Sequence, residues 1–187
     1  MLGLFSALFA TGSLSCLSGV AAVAGVTTFN DYTTQSTVAC AGFSPVNSQG
    51  NGIFSAAMAD LSPLWTGSRC TGTMNAANCN GKGACINCVG PDELVCGTCF
   101  NVKCTGPLDG ETNGACSGTT INVKIIDACP ATHPANYCKI AAFGGTIPND
   151  EACEASGTNA LDIATTARSA LSSFQGNLRI DIESTSC

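Results

Sequence analysis

The sequence predicts a small, mainly β domain, stapled by sulfur and closed into a barrel with one or two short helices. Three observations carry that expectation. Of 187 residues, 45% are hydrophobic and only 11% are charged, so the chain can bury a core and lacks the composition of disorder. It holds 14 cysteines, a density that in an exported chain marks a disulfide framework. Its clearest periodicities are short, and Gly-, Ser- and Asn-rich connections separate them. Short strands with few helices close naturally into a small barrel.

Residues 1–24 carry no charged side chain and end in the small-x-small run Ala22-Val23-Ala24. They read as a secretory signal peptide, leaving 25–187 as a single domain. The competing reading is an N-terminal membrane anchor. Thr11-Gly12-Ser13 and Ser15 interrupt the apolar stretch, which favours export and no membrane attachment once the leader is removed.

Val26-Thr27-Thr28-Phe29 predicts the first strand. A Gly/Ser/Asn loop follows, then the apolar run Ile53 to Leu61, expected as a short helix, with Ser62-Pro63 restarting the chain. Residues 66–95 lack a sustained period and are rich in Gly, Asn and Cys, so a disulfide-pinned loop is expected. In Ile121-Asn122-Val123-Lys124-Ile125-Ile126 the alternation predicts a strand with Ile121, Val123 and Ile125 on one face. Residues 130–158 form a second long loop. Ile163, Ala167, Leu171 and Phe174 recur at helical spacing, which predicts an amphipathic helix over 163–174. Leu178, Ile180 and Ile182 alternate with Arg179, Asp181 and Glu183, the pattern of a half-buried final strand.

Charge narrows the partners. Seven Lys plus Arg against thirteen Asp plus Glu give a net charge of −6, with no basic stripe to neutralise phosphates. Nucleic acid and an anionic membrane surface are therefore disfavoured, whereas a neutral polysaccharide meets no repulsion. Removing the leader removes Cys16 and leaves thirteen cysteines, an odd number. One thiol must stay free, pair between chains or be capped. Cys85-x-x-Cys88 and Cys96-x-x-Cys99 have zinc-ligand spacing, but thiolate zinc needs reduced sulfur and the export route oxidises it. No metal and no cofactor are expected.

The run Cys96-Gly97-Thr98-Cys99-Phe100-Asn101-Val102-Lys103-Cys104, followed by Cys116-Ser117-Gly118 and a strand ending Ile126-Asp127, resembles the first domain of expansins. Thr28-Phe29 and Cys40-Ala41-Gly42-Phe43 resemble that family's upstream elements. Ala160-Leu161-Asp162-Ile163 resembles its H-F-D-L motif, which family-45 endoglucanases share, and Cys129-Pro130 through Tyr137-Cys138 is similar to a C-P…W-C loop of both. The resemblance implies a six-stranded double-psi β-barrel with an open groove for wall glucans, on a secreted, extracellular or cell-wall protein, expected as a monomer. It also implies Cys40–Cys96 and Cys104–Cys116 disulfides, and Cys99 bonded to a later cysteine, Cys138. Two departures stand out. Ala160 occupies the place of the motif's histidine, and Asn30 that of a tyrosine. The second, carbohydrate-binding domain of expansins is not in this sequence, as in single-domain loosenin-like relatives.

Three carboxylates carry the chemistry that the resemblance implies. Asp162 matches the acid that protonates the leaving oxygen in the endoglucanases. Asp127 matches a groove-lining strand-end Asp. Asp31, in Thr27-Thr28-Phe29-Asn30-Asp31, matches the endoglucanase general base, where expansins have glycine. An inverting hydrolase needs one acid and one base about 6.5–9.5 Å apart. Each residue also has a structural reading: Asp162 as a helix cap, Asp127 as a strand-end anchor, Asp31 as a solvated turn residue. Thr28, Phe29, Tyr32, Asn136 and Tyr137 are candidate substrate contacts. His133, the only histidine, reads as a loop residue, and Trp65, beside Leu61 and Leu64, as core. Two main functions stay open, a non-hydrolytic glucan-binding and loosening module and an inverting endo-β-1,4-glucanase. A secreted structural or signalling barrel without glucan affinity is a weaker third.

Overall fold

The computed structural model describes residues 21–66, 95–108, 110–129 and 158–187. Six strands form their framework: β1 (Val23–Asn30), β2 (Ile53–Ala59), β3 (Cys99–Pro107), β4 (Thr120–Cys129), β5 (Asn159–Ala164) and β6 (Leu178–Thr185). They close into a barrel in the order β1-β5-β2-β4-β3-β6, with β6 returning to β1. The β1–β5 and β2–β4 pairs are parallel and the other four are antiparallel. Closure removes the open edges that would otherwise invite further strands.

Alternation sorts the side chains into two layers. Val102, Ile121, Val123, Ile125, Leu161, Ile163, Leu178, Ile180 and Ile182 fill the interior. A second apolar layer outside the wall holds Val26, Ala57, Ala59, Ile126, Ala160, Ala164 and the ring of Tyr32. Strands covered on both faces lose the polar half of their alternation, and β2 is the extreme case.

The run expected as a helix from Ile53 to Leu61 is therefore strand β2 over Ile53–Ala59. Ala56 and Met58 face the interior while Ala57 and Ala59 face the outer layer, so no residue from Ser55 to Ala59 is exposed. The segment sits between β4 and β5, and strand neighbours on both sides override its helix-favouring composition. The expected 163–174 helix is also corrected. Ile163 belongs to β5, and only Arg168–Leu171 forms an α-helix (α1), preceded by a 3₁₀ turn at Thr165–Ala167. Ala167, Leu171 and Phe174 still reach the same core, because this short unit folds over one end of the barrel. Trp65 is buried in the core.

Strand β1 begins at Val23, pairing Val23 with Ile182 and Ala24 with Asp181. A chain cut after Ala24 keeps β1 from Gly25 onward. Cys40 is bonded to Cys96 and Cys104 to Cys116. Cys99 is bonded to Cys187 instead of Cys138. The β3–β6 register explains this: Cys99 lies opposite Thr185, which brings Cys187 to a Cα separation of 5.2 Å. Cys138 lies outside the described residues, as do the expected loops over most of 66–95 and 130–158.

Candidate functional site

Four adjacent strands place one residue each in a single row across the outer face. Thr28 of β1 pairs with Asp162 of β5, Asp162 with Ala57 of β2, and Ala57 with Asp127 of β4. Asp162 points outward because its neighbours Leu161 and Ile163 point in, while Ala160 and Ala164 join the outer layer. A bulge sets the far end of the row. Ala56 pairs with Ile125 but Ala57 with Asp127, so one residue of β4 is skipped. Without it, Ala57 would face Ile126 and the two aspartates would fall out of register. With one strand between them, their Cα atoms stand about 10 Å apart, twice the inter-strand spacing.

Within the row the two carboxylates have different partners. Asp162 accepts a 2.7 Å hydrogen bond at Oδ1 from the Thr28 hydroxyl, and its backbone carbonyl accepts one of 2.7 Å from the Tyr32 hydroxyl. Its Oδ2 has no hydrogen-bond partner among the described residues. Burial pushes the Asp162 carboxyl up to about 6; the Thr28 bond pulls it down, and the negative charge of Asp127 pushes it further up.

Asp127 is engaged at both oxygens. Its Oδ1 accepts from the Ala39 amide at 2.8 Å and from its neighbour Ala128 at 2.9 Å. With the Gln35 amide oriented so that its nitrogen faces acceptors and its oxygen a donor, Oδ2 accepts from the Gln35 amide at 3.2 Å and the Gln35 oxygen accepts from Asn30 at 2.7 Å. Asp127 thus holds the strap from Gln35 to Cys40 against the barrel, where Cys40 donates its amide to the Ile126 carbonyl. Burial raises its carboxyl to about 6, against the pull of the two backbone amides.

Asp31 sits beyond the end of β1 and caps the 3₁₀ turn Tyr32–Thr34. Its Oδ1 collects the Thr33 hydroxyl at 2.6 Å, the Asn47 amide at 2.8 Å and the Thr33 backbone amide at 3.1 Å. These donors hold its carboxyl below the usual range, the Thr33 hydroxyl foremost. The Asx-turn geometry was readable in the sequence as a turn-prone stretch; the Asn47 partner was not, because sixteen residues separate them.

The expected aromatic contacts are placed as supports. Tyr32 is fully buried beneath the outer layer, with its amide bonded to Asn47. Phe29 packs toward the interior, and the Arg168 guanidinium lies 3.8 Å from its ring centroid. Ala160, in place of the motif's histidine, is buried beside Asp162 and supplies no proton carrier. Asn136 and Tyr137 lie outside the described residues. Gln35, Asn47 and Ala57 are site residues that the sequence did not reveal, since only strand register and the strap bring them in.

Comparison with known proteins yields a short match. Over 37 residues the chain is 46% identical to Putative EG45-like domain containing protein 1 of Arabidopsis thaliana. It is 49% identical over 37 residues to the EG45-like domain containing protein of Citrus jambhiri. The likeness is to EG45-like domain proteins. It covers 20% of this chain, and 29% and 28% of those two proteins. No family model matches the chain. The stretch supports kinship of an expansin-like kind without assigning a particular member.

Proposed function

We propose that this is a secreted cell-wall protein that binds β-glucan or cellulose and loosens it without cutting it. One observation carries the reading: of the three aspartates, Asp162 alone combines a raised pKa with a carboxylate oxygen that no described residue engages, on the outer side of β5. Thr28 donates to Oδ1, which leaves the acidic proton on Oδ2. Below about pH 6 that proton can be donated to a glucan oxygen, competing with the hydrogen bonds that hold polymer chains together. The Tyr32–Asp162 bond fixes the backbone beneath it, so the donor is preorganised. The likeness to EG45-like domain proteins and the expansin-like cysteine run support the same class of ligand.

Hydrolysis needs a second carboxylate to activate water. Asp127 is engaged at both oxygens in holding the strap, and Asp31 gives one oxygen to three local donors. The second reading, an inverting endo-β-1,4-glucanase, keeps one supporting observation: Asp31 remains ionised and partly exposed, as a base must be. Depletion binding to insoluble cellulose and barley β-glucan, run beside a reducing-end assay, separates the two. The expected result is saturable binding at pH 5 that weakens above pH 6, with no new reducing ends. Asp162→Ala should lose about tenfold in affinity, whereas Asp162→Asn, which keeps a neutral donor, should bind with no pH dependence. Reducing ends that disappear in Asp31→Ala would instead establish the hydrolase.

A further inference from the structure

The antiparallel pairing of β1 with β6 is the seam that closes the barrel, and it bears on where the exported chain begins. Five residue pairs form the seam, from Val23 opposite Ile182 to Thr27 opposite Leu178. Two of the five belong to Val23 and Ala24, the residues that a cut after Ala24 would remove. Each makes a further contact. Val23 is partly buried and packs against the interior core. The Ala24 carbonyl accepts a 3.0 Å hydrogen bond from Asn159 Nδ2, and Asn159 Oδ1 accepts one of 3.2 Å from the Ser62 hydroxyl. Ser62 is buried, so a single amide side chain ties the starts of β1 and β5 to the segment after β2.

Gly25 is a poor place for a new chain end. A Cβ at this position would lie 2.5 Å from the Asn159 carbonyl oxygen and 2.6 Å from Cδ1 of Ile182. A cut after Ala24 would set an α-ammonium beside this crowded, partly apolar spot and take the Ala24 carbonyl away from Asn159. On the other side of Val23 the conditions reverse. Ala21 and Ala22 are exposed and precede β1, so an ammonium there stays hydrated and no pair of the seam is lost. Leader peptidases read small residues at the third and first positions before the cut. Gly19 with Ala21, or Val20 with Ala22, meets that requirement as Ala22 with Ala24 does. The cut precedes folding, so the seam does not direct the peptidase. It shows which residues the processed chain must still carry.

We infer that the leader is removed on the N-terminal side of Val23, after Ala21 or Ala22, so that the mature chain keeps all eight residues of β1. Water adds across that peptide bond, leaving a carboxylate on the leader and an α-ammonium on the mature chain. The processing site therefore lies ahead of the one that the run Ala22-Val23-Ala24 suggests. That a leader is removed at all rests on the secretory reading proposed above; the position of the cut rests on the seam.

The test expresses the full chain in a secretory host cell and reads the start of the secreted product by N-terminal sequencing and intact mass. The expected first residue is Ala22 or Val23. A secreted product that begins anywhere else, at Gly25 above all, overturns the inference and leaves secretion standing. A chain retained uncut sinks the inference and the secretory reading together. Ala24→Leu, a change at an exposed position that blocks a cut after residue 24, should leave the start unchanged; a shifted or lost cut in that variant overturns the inference. Chains secreted behind a leader of fixed cleavage, beginning at Val23 and at Gly25, supply a second readout. The shorter chain should melt about 4–10 °C lower, and equal melting temperatures would remove the reason for the earlier cut.

Discussion

Asp31 lies just past the end of β1 and Asp162 within its parallel neighbour β5, yet their surroundings drive their carboxyls in opposite directions. Asp31 lies in a turn where three donors converge on one oxygen, and it stays ionised. Asp162 lies mid-strand over a floor of small alanines with a single hydroxyl donor, and burial raises its carboxyl to about 6. The difference teaches that a carboxylate at a motif position acquires its role from the number of donors around it. The same residue type becomes a cap in one place and an acid in the other.

The largest effect that can break this contrast is at Tyr32, which joins the two regions. Its ring is fully buried and its hydroxyl bonds the Asp162 carbonyl. Tyr32→Ala should cost about 3–5 kcal/mol in a urea unfolding experiment, and Tyr32→Phe about 0.5–1.5 kcal/mol through the lost hydrogen bond. A loss below 1 kcal/mol for Tyr32→Ala would mean that the turn is not coupled to the strand.

Next comes the pH dependence of stability. Asp127 and Asp162 titrate near 6 in the fold and near 3.9 when unfolded, so between those values the native state holds more protons. Stability should therefore fall as pH rises from about 4 through 6. Asp162→Asn removes one ionising group and should raise stability at pH 7.5 by about 1–3 kcal/mol while flattening that slope. Asp31 runs the other way: its contribution is present above its unfolded value and is lost as pH falls through its lowered one. Chemical denaturation at pH 4, 6 and 7.5 reads both trends, and a wild-type chain more stable at 7.5 than at 4 would contradict the first.

The smallest effect is the cap. Asp31→Ala removes the acceptor of Thr33 and Asn47 and should lower the urea midpoint only slightly, by less than either change above. Glucan binding should be unchanged. A tenfold loss of binding in a folded Asp31→Ala would give Asp31 a role at the ligand.

The elements legible in the sequence were those with one wet face. Leu178, Ile180 and Ile182 against Arg179, Asp181 and Glu183 declare β6, and Ile121, Val123 and Ile125 declare β4. β2 was not legible, because a strand buried on both faces shows only a short apolar run, which helix and strand share. β5 was hidden by Ile163, whose spacing to Ala167 and Leu171 is helical although the two halves belong to different elements. For the site, the three aspartates stood out through a resemblance, while the row that aligns Asp162 with Asp127 depends on a bulge at Ala56/Ala57. No local pattern encodes such an offset, which is settled by pairing between strands distant in sequence.

The contrast between the two aspartates is tested most directly by ¹³C NMR titration of the carboxyl carbons in the intact protein. The result expected is an Asp162 midpoint near 6 with a coupled response at Asp127, and an Asp31 midpoint below 3.8. An Asp162 midpoint at or below 3.8, or an Asp31 midpoint raised toward neutrality, would contradict the assignment of acid and cap.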